Sequence, residues 1–370
     1  MSKKRISILL PDLAGGGAER LHVNLANKWI NQGLKVEFAL TTKQGGLLGS
    51  LDEKISVTDL RASRARWLLV HLTRYLRQAR PDVVLAAMWP LTSISIVAWI
   101  LAGRPGRLFV SDHSQLSISS VEETRTPRWL IGNSIRYTYP LASGVIAVSQ
   151  GVKHDMCDLG HIDPSTVQVI YNPTAIGVPM RRGSDVDRAS LWGQGFSHHI
   201  LSVGNLKMQK DHATLLQAFA LLAQTTAAKL TILGEGLLRG ELEGLVQELG
   251  LQGRVAMPGF ALDTYPWYQT ADLFVLSSRW EGFGNVIVEA LECGIPIVST
   301  DCPSGPSEIL ENGRFGRLVP IQDPVALADA MARSLSEFID RDKLVRRAQD
   351  FSVDRISDQY LRYFSLGLQA

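Results

Sequence analysis

Short apolar runs of four to six residues recur along the chain. Longer stretches whose apolar residues return every three or four positions separate them. The runs read as buried strands and the stretches as helices with one apolar face. In the first half, strands are predicted over 6–10, 36–40, 83–87, 108–111 and 145–148, with helices beginning near Ala18, Arg66, Leu91 and Pro127. In the second half, strands are predicted over 200–203, 230–233, 254–257, 273–276 and 297–299, with helices beginning near His212, Leu237, Thr264, Val286 and Val325. Such alternation builds parallel sheets covered by helices, an α/β fold. Periodicity fails over 172–197, where Pro173, Pro179, Arg181-Arg182-Gly183-Ser184 and Gly193 fall, and the linker is placed there. At 370 residues the chain exceeds one ordinary core. Two domains are therefore expected, 1–175 and 176–351, with ligands at the carboxyl ends of their strands. A last helical pattern over 352–368 carries Ile356, Tyr360, Leu361 and Phe364.

The candidate chemistry lies at predicted strand ends. After the strand ending at Ser277-Ser278 comes Glu281-Gly282-Phe283-Gly284-Asn285-Val286-Ile287-Val288-Glu289. A glycine turn that opens a helix presents backbone N–H groups and the positive end of the helix dipole, an anion site suited to phosphate. Glu281 stands before the turn and Glu289 is expected about two helical turns in. That spacing suits a nucleotide sugar, with Glu281 near the sugar, the amides on the diphosphate and Glu289 on the ribose. The plain alternative is two surface carboxylates flanking a helix.

Four further segments lie beyond predicted strands. Gly15-Gly16-Gly17-Ala18-Glu19-Arg20 opens the first helix with a turn that lets backbone approach a ligand. It does not fit the dinucleotide fingerprint: the third glycine is missing, and Thr41-Thr42 stand where an acidic residue would end the second strand. Ser202-Val203-Gly204-Asn205-Leu206-Lys207-Met208-Gln209-Lys210-Asp211 offers two lysines. In Asp301-Cys302-Pro303-Ser304-Gly305-Pro306-Ser307-Glu308, Gly305-Pro306 fixes a turn, and Ser307 or Glu308 is the expected helix cap. Ser111-Asp112-His113-Ser114 puts one histidine at a strand end, either packed or facing a ligand. Asp185-Val186-Asp187 has the form of a metal-binding D-x-D but falls in the linker, not at a strand end, and reads as solvated.

Together these segments resemble the E-x7-E motif and its companions in the retaining GT-B glycosyltransferases of family 4, the glycogen-synthase-like "group 1" transferases. The resemblance implies two Rossmann-like domains facing across a cleft, with a carboxy-terminal tail crossing back onto the first. It implies that Gly16 and Gly17 lie against the donor diphosphate, and that Asn205, Lys210, Gly282, Phe283, Gly284, Asn285, Val286 and Glu289 bind the donor. Glu281, Lys210 and His113 fall at catalytic positions. Lys210 matches the lysine of the family's G-R-L-x-x-x-K segment, whereas Asn205 stands where arginine is usual, and Lys207 is a candidate substitute. The 301–310 segment is similar to that of bacterial N-acetylhexosaminyltransferases of polysaccharide or lipid-linked glycan assembly. The same resemblance implies a UDP-sugar donor, retention at the anomeric carbon, and no metal or other cofactor.

Composition and charge refine the picture. The protein is 45% hydrophobic and 20% charged, as soluble globular chains are. Its three cysteines lack metal spacing and suit a reduced compartment. Lys3-Lys4-Arg5 precedes too short an apolar run for a signal peptide, so a cytoplasmic protein is expected. Residues 83–102 carry no charge, but Pro90 splits them into a strand and a helix. The net charge is only +2, yet residues 1–176 hold 20 Lys/Arg against 13 Asp/Glu. A basic first half faces something anionic. The segments 61–80 and 125–131 combine arginines with Trp67 and Trp129 and are candidates for an anionic membrane surface, or are ordinary helices packed on the sheet. The acceptor expected is a lipid-linked or lipopolysaccharide-type glycan. A UDP-sugar 2-epimerase of the same architecture and an inactive nucleotide-sugar-binding protein are the alternatives; nucleic acid is not an expected partner.

Overall fold

The computed structural model describes residues 4–62, 65–177 and 188–365. They form two compact units, one of the described residues up to Thr174 and from Val353 on, the other Ala175–Ser352.

The first unit is built on seven strands: β1 (Arg5–Leu10), β2 (Lys35–Leu40), β3 (Ser56–Asp59), β4 (Val83–Ala87), β5 (Arg107–Asp112), β6 (Gly144–Ala147) and β7 (Val167–Val169). All pair in parallel in the order β3-β2-β1-β4-β5-β6-β7. Its helices are α1 (Gly17–Asn31), α2 (Ala65–Ala79), α3 (Leu91–Leu101), α4 (Leu116–Thr124), α5 (Arg128–Thr138) and α6 (Gln150–Gly160). With helices on both faces, central strands bury every residue, which is why β4 is the unbroken run Val-Val-Leu-Ala-Ala. The uncharged stretch 83–102 resolves into β4 and α3, parted at Met88-Trp89-Pro90. No helix among the described residues is long and apolar enough to cross a membrane.

The second unit begins with α7 (Arg188–Trp192). It continues β8 (His198–Val203), α8 (His212–Leu222), β9 (Ala228–Leu233), α9 (Arg239–Glu248), β10 (Val255–Gly259), α10 (Tyr265–Thr270), β11 (Leu273–Leu276) and α11 (Asn285–Glu292). It closes with β12 (Ile297–Thr300), α12 (Pro306–Ile309), β13 (Arg317–Val319), α13 (Pro324–Ser336) and α14 (Arg341–Ala348). Its parallel sheet runs β10-β9-β8-β11-β12-β13. Leu215, Phe219, Leu230, Ile232, Val275, Val298 and Met331 pack its core.

The final helix, α15 (Val353–Tyr363), belongs to the first unit. Ile356, Tyr360, Leu361 and Phe364 enter the same core as Trp29 and Phe109. Trp29 Nε1 donates to Ser357 Oγ at 3.0 Å, and the Phe364 ring lies 4.6 Å from that of Phe109.

Both sheets share one order: the first strand is central, flanked by the second and the fourth. Connections leave two adjacent strands toward opposite faces at β1/β4 and at β8/β11, which opens a crevice outside their carboxyl ends. The segments after β8 and β11 therefore meet.

Candidate active site

In the second unit the chain leaves β8 at Gly204 and makes a short turn over Met208–Lys210 that returns to the end of β11. Three hydrogen bonds fix it there. Ser277 Oγ donates to the Lys210 carbonyl (2.7 Å), the Arg279 amide to the Gln209 carbonyl (2.8 Å), and Gln209 Nε2 to the Trp280 carbonyl (3.0 Å). Lys210 Nζ then meets Glu281 Oε1 at 2.5 Å, and Ser278 Oγ donates to the same oxygen at 2.7 Å. The side chains are 16% and 7% exposed. Attraction at this depth has to offset the desolvation of both charges, and the Ser278 hydroxyl contributes to that. Glycines permit the approach: a Cβ on Gly204 would lie 3.1 Å from Lys210 Cδ, and one on Gly234 only 2.1 Å from the Gly204 carbonyl oxygen. Asn205 and Lys207 are exposed on the same turn.

The turn after Glu281 is held from one side. Ser304 Oγ donates to the Gly282 carbonyl at 3.0 Å, and the buried Phe283 ring lies 5.4 Å from Phe351. Gly305, at φ +90°, stands so near that a Cβ would fall 1.9 Å from the Phe283 carbonyl oxygen. Gly284, at φ +99°, is the N-cap of α11 and, having no side chain, makes no side-chain cap bond. At α12, Gly305 takes the N-cap, not Ser307 or Glu308 as the sequence suggested, because Pro306 already occupies the first helical position. Arg347 of α14 donates to the Glu308 and Ile309 carbonyls, both at 2.9 Å, and closes the other end of α12.

Glu289 is the fifth residue of α11, little more than one turn in, which corrects the expected two. Of the residues between Glu281 and Glu289 the turn takes 282–284, and α11 starts at Asn285, one before the predicted Val286. Glu289 is half-buried beside Tyr265 and Tyr268 of α10, whose phenols are pushed up by burial and then by the Glu289 charge. Glu292, buried one turn on, accepts from Tyr265 Oη (2.8 Å) and from the Gly177 amide (2.7 Å). Sequence reasoning missed Ser278, Tyr265, Tyr268 and Glu292. The signal was present in polar residues, Ser277-Ser278 and Glu292, on otherwise apolar buried runs.

The first unit holds Gly16, Gly17 and His113. Gly15 has φ +120°, Gly16 is the N-cap of α1 and Gly17 its first residue. The Glu19 carboxylate folds over this end: a Cβ on Gly16 would lie 2.4 Å from Glu19 Oε2. Burial raises the Glu19 carboxyl, with its own amide opposing. His113 Nε2 lies 3.1 Å from Ser111 Oγ, and its ring packs edge to face on His22 with centroids 5.2 Å apart. Burial holds His113 well below the usual histidine range and His22 at about 4. Neighbouring Asp112 is pushed up to about 6 by burial, although Tyr139 Oη (2.5 Å) and the Trp89 amide (3.1 Å) donate to it. Asp185-Val186-Asp187 and residues 63–64 lie outside the described residues. Among the described residues no group of three or more His, Cys, Asp or Glu is placed to hold a metal ion.

Buried neutral histidines make acid destabilising. His212, the first residue of α8, is buried beside Lys210 and lowered, by burial first, to about 3 from 6.5. A histidine whose folded pKa is lowered contributes stability above its unfolded value and loses it as pH falls toward the folded one. The second unit is therefore expected to lose about 3 kcal/mol between pH 6.5 and 4 on this account. His212→Asn should flatten that slope in thermal unfolding; an equal slope in the variant contradicts it. Asp112 has the opposite sign in the first unit, where its raised pKa makes stability fall as pH rises from 3.8 to about 6.

Two sheets of this order, each with a glycine turn after its first or fourth strand, are those of a GT-B glycosyltransferase. Residues 15–176 match the family described as Glycosyltransferase Family 4, and residues 197–337 that described as Glycosyl transferases group 1. The chain belongs to this family. It is 32% identical over 238 residues to the N-acetylgalactosamine-N,N'-diacetylbacillosaminyl-diphospho-undecaprenol 4-alpha-N-acetylgalactosaminyltransferase of Campylobacter jejuni, 62% of each chain being covered. It is 29% identical to the lipopolysaccharide core biosynthesis glycosyltransferase LpsE of Rhizobium meliloti, over 94% of this chain and 95% of that one. HepE of Anabaena, crystallised with UDP, superimposes with a TM-score of 0.80 at 22% identity, covering 98% of this chain and 100% of that one.

Proposed function

We propose that the protein transfers a sugar, an N-acetylhexosamine, from a UDP-sugar to a lipid-linked or lipopolysaccharide-type glycan, with retention at the anomeric carbon. The observation that carries this reading is the Lys210–Glu281 pair at the β8/β11 switch point, beside the amino end of a helix whose N-cap is Gly284 and that bears Glu289 one turn in. The relatives from Campylobacter jejuni and Rhizobium meliloti, named for lipid-linked and lipopolysaccharide glycans, support the acceptor class.

In this reading the bond between the anomeric carbon and the diphosphate oxygen breaks, and the acceptor oxygen bonds to that carbon on the same face. The acceptor's proton passes to the departing phosphate. Negative charge grows on the diphosphate, where Lys210 and the amino end of α11 stabilise it with no metal ion. Glu281, released from Lys210, orients the sugar through its hydroxyls, and Glu289 binds the ribose. His113 donates to a phosphate oxygen or sugar hydroxyl. Lys207 is the basic residue nearest in sequence to Asn205 and supplies the charge that an arginine there would have brought.

On the first unit, α2 buries Leu68, Leu72 and Leu76 but leaves Trp67 50% and Val70 54% exposed, and α5 leaves Trp129 68% exposed. With Arg66, Arg74, Arg125 and Arg128 around them, these side chains suit the head groups and upper acyl region of an anionic cytoplasmic leaflet, where a lipid-linked acceptor would be met.

The test is a screen of UDP-sugars for UDP release with a polyprenyl-diphosphate-linked glycan, with and without chelator. Release with one donor, unaffected by chelator and giving an axial product linkage from an axial donor, is expected. Loss of turnover with chelator, inversion, or an epimerised donor without transfer would overturn the respective part. Glu289→Ala should raise the donor KM about tenfold to a hundredfold with a smaller change in kcat, the worth of hydrogen bonds to a charged group. An unchanged KM removes the ribose assignment.

A further inference from the structure

Tyr360 was legible in the sequence only as an apolar position of the last helix. Its ring is fully buried between Trp29, at 6.2 Å, and Phe364, at 5.7 Å, so its phenol has little freedom. The phenol faces the Ser111 side chain. It stops short of a formed hydrogen bond with any side chain or backbone group, and burial without a partner is costly for a hydroxyl. Ser111, 1% exposed at the end of β5, in turn sits 3.1 Å from His113 Nε2. Three polar groups thus stand in a row from the carboxy-terminal helix to a residue of the proposed reaction.

We propose that Tyr360 is a positioning residue that acts through Ser111 to fix which nitrogen of His113 carries the proton. The inference rests on the reading of His113 given above. A phenol is the stronger donor of the two hydroxyls, so when the two close to bonding distance Tyr360 gives its proton to Ser111 Oγ. Ser111 then directs its own proton to His113 Nε2, which must be the lone-pair nitrogen. The His113 proton is left on Nδ1. That atom is buried and has no partner, a donor held ready for a phosphate oxygen or sugar hydroxyl. His22 does not compete for Ser111: its Nδ1 lies 2.7 Å from the Ala18 carbonyl and donates there, and its Nε2 makes no hydrogen bond with the described residues. Burial keeps the His113 ring neutral, the form in which two tautomers exist and a relay decides between them.

Nitrogen-15 correlation spectra of the imidazoles in the whole protein test this, with the His113 signals assigned by their loss in His113→Gln. The parent should show His113 protonated on Nδ1. Tyr360→Phe and Ser111→Ala should move it toward the Nε2 form, with kcat about threefold to tenfold lower and donor KM within about twofold. Ser111→Ala keeps the test decisive if Tyr360→Phe folds poorly. An Nε2-protonated parent, or a tautomer unmoved in both variants, overturns the relay. Full activity in His113→Gln overturns the role of His113 instead, and the spectra still judge the relay.

Discussion

Lys210→Met is expected to lower kcat by about a hundredfold to a thousandfold, the usual cost of one preorganised donor at a developing anion. It is also expected to destabilise the second unit by about 3 kcal/mol, because Glu281, 7% exposed, keeps only Ser278 as a partner. The two effects have separate origins and can be pulled apart. Adding Glu281→Gln removes the orphaned charge while the amide can still accept from Ser278, so Lys210→Met/Glu281→Gln should recover most of the lost stability and none of the activity. Urea denaturation and steady-state kinetics on the four proteins of this cycle provide the measurement. If the double variant is as unstable as the sum of the single ones, the pair is not the coupled, desolvated unit described here. If Lys210→Met turns over normally, the lysine does not serve the leaving group. In the proposed reaction the carboxylate would hold the buried lysine before the donor arrives, and the diphosphate would then take over.

Gly305→Ala is the second large effect. The residue combines φ +90° with a carbonyl oxygen 1.9 Å from where its Cβ would stand. Backbone strain and overpacking each cost about 1–3 kcal/mol. Together they should lower the melting temperature of the second unit by roughly 10 °C. The displaced group is the Phe283 carbonyl, within the turn that opens α11, so donor KM should rise at least about tenfold. Gly313→Ala is the control. Gly313 has φ +95° but its nearest neighbour, the Gly316 oxygen, would lie 3.6 Å from a Cβ. It should show the strain without the clash and leave donor KM unchanged. Equal behaviour of the two variants would mean that the Gly305 contact does not shape the turn.

Central strands were legible because they are buried on both faces and read as unbroken apolar runs; β4 and β11 fall at the predicted residues. Edge strands were not, apart from β10, predicted over 254–257. β3 is Ser-Val-Thr-Asp, β7 is Val-Gln-Val and β13 is Arg-Leu-Val, each too short and too polar to stand out from a loop. Helix α6 escaped for a related reason: its buried side chains are only Val152, Met156 and Cys157, and its start is set by Ser149 accepting from the Val152 amide. At the site, the spacing of the two glutamates singled out Glu281, and the resemblance to the family singled out Lys210. That they form an ion pair was out of reach, since it depends on β8 and β11 being neighbours across 71 residues of chain. The cover that Glu19 makes over the amino end of α1 depends on a side-chain rotamer, which no pattern records. Glu289 came out one turn early because the sequence does not say how many residues the glycine turn consumes.

Because α15 fills the first unit's core, that unit is encoded in two separated segments of the gene. A hybrid enzyme that borrows only residues up to Thr174 from a relative would meet a foreign α15, and the hollow lined by Trp29 and Phe109 would receive the wrong Tyr360 and Phe364. Recombination that exchanges the front segment together with everything after Ser352 keeps lock and key from the same parent. Exchanges of the first unit in this protein are thus two-cut grafts by construction.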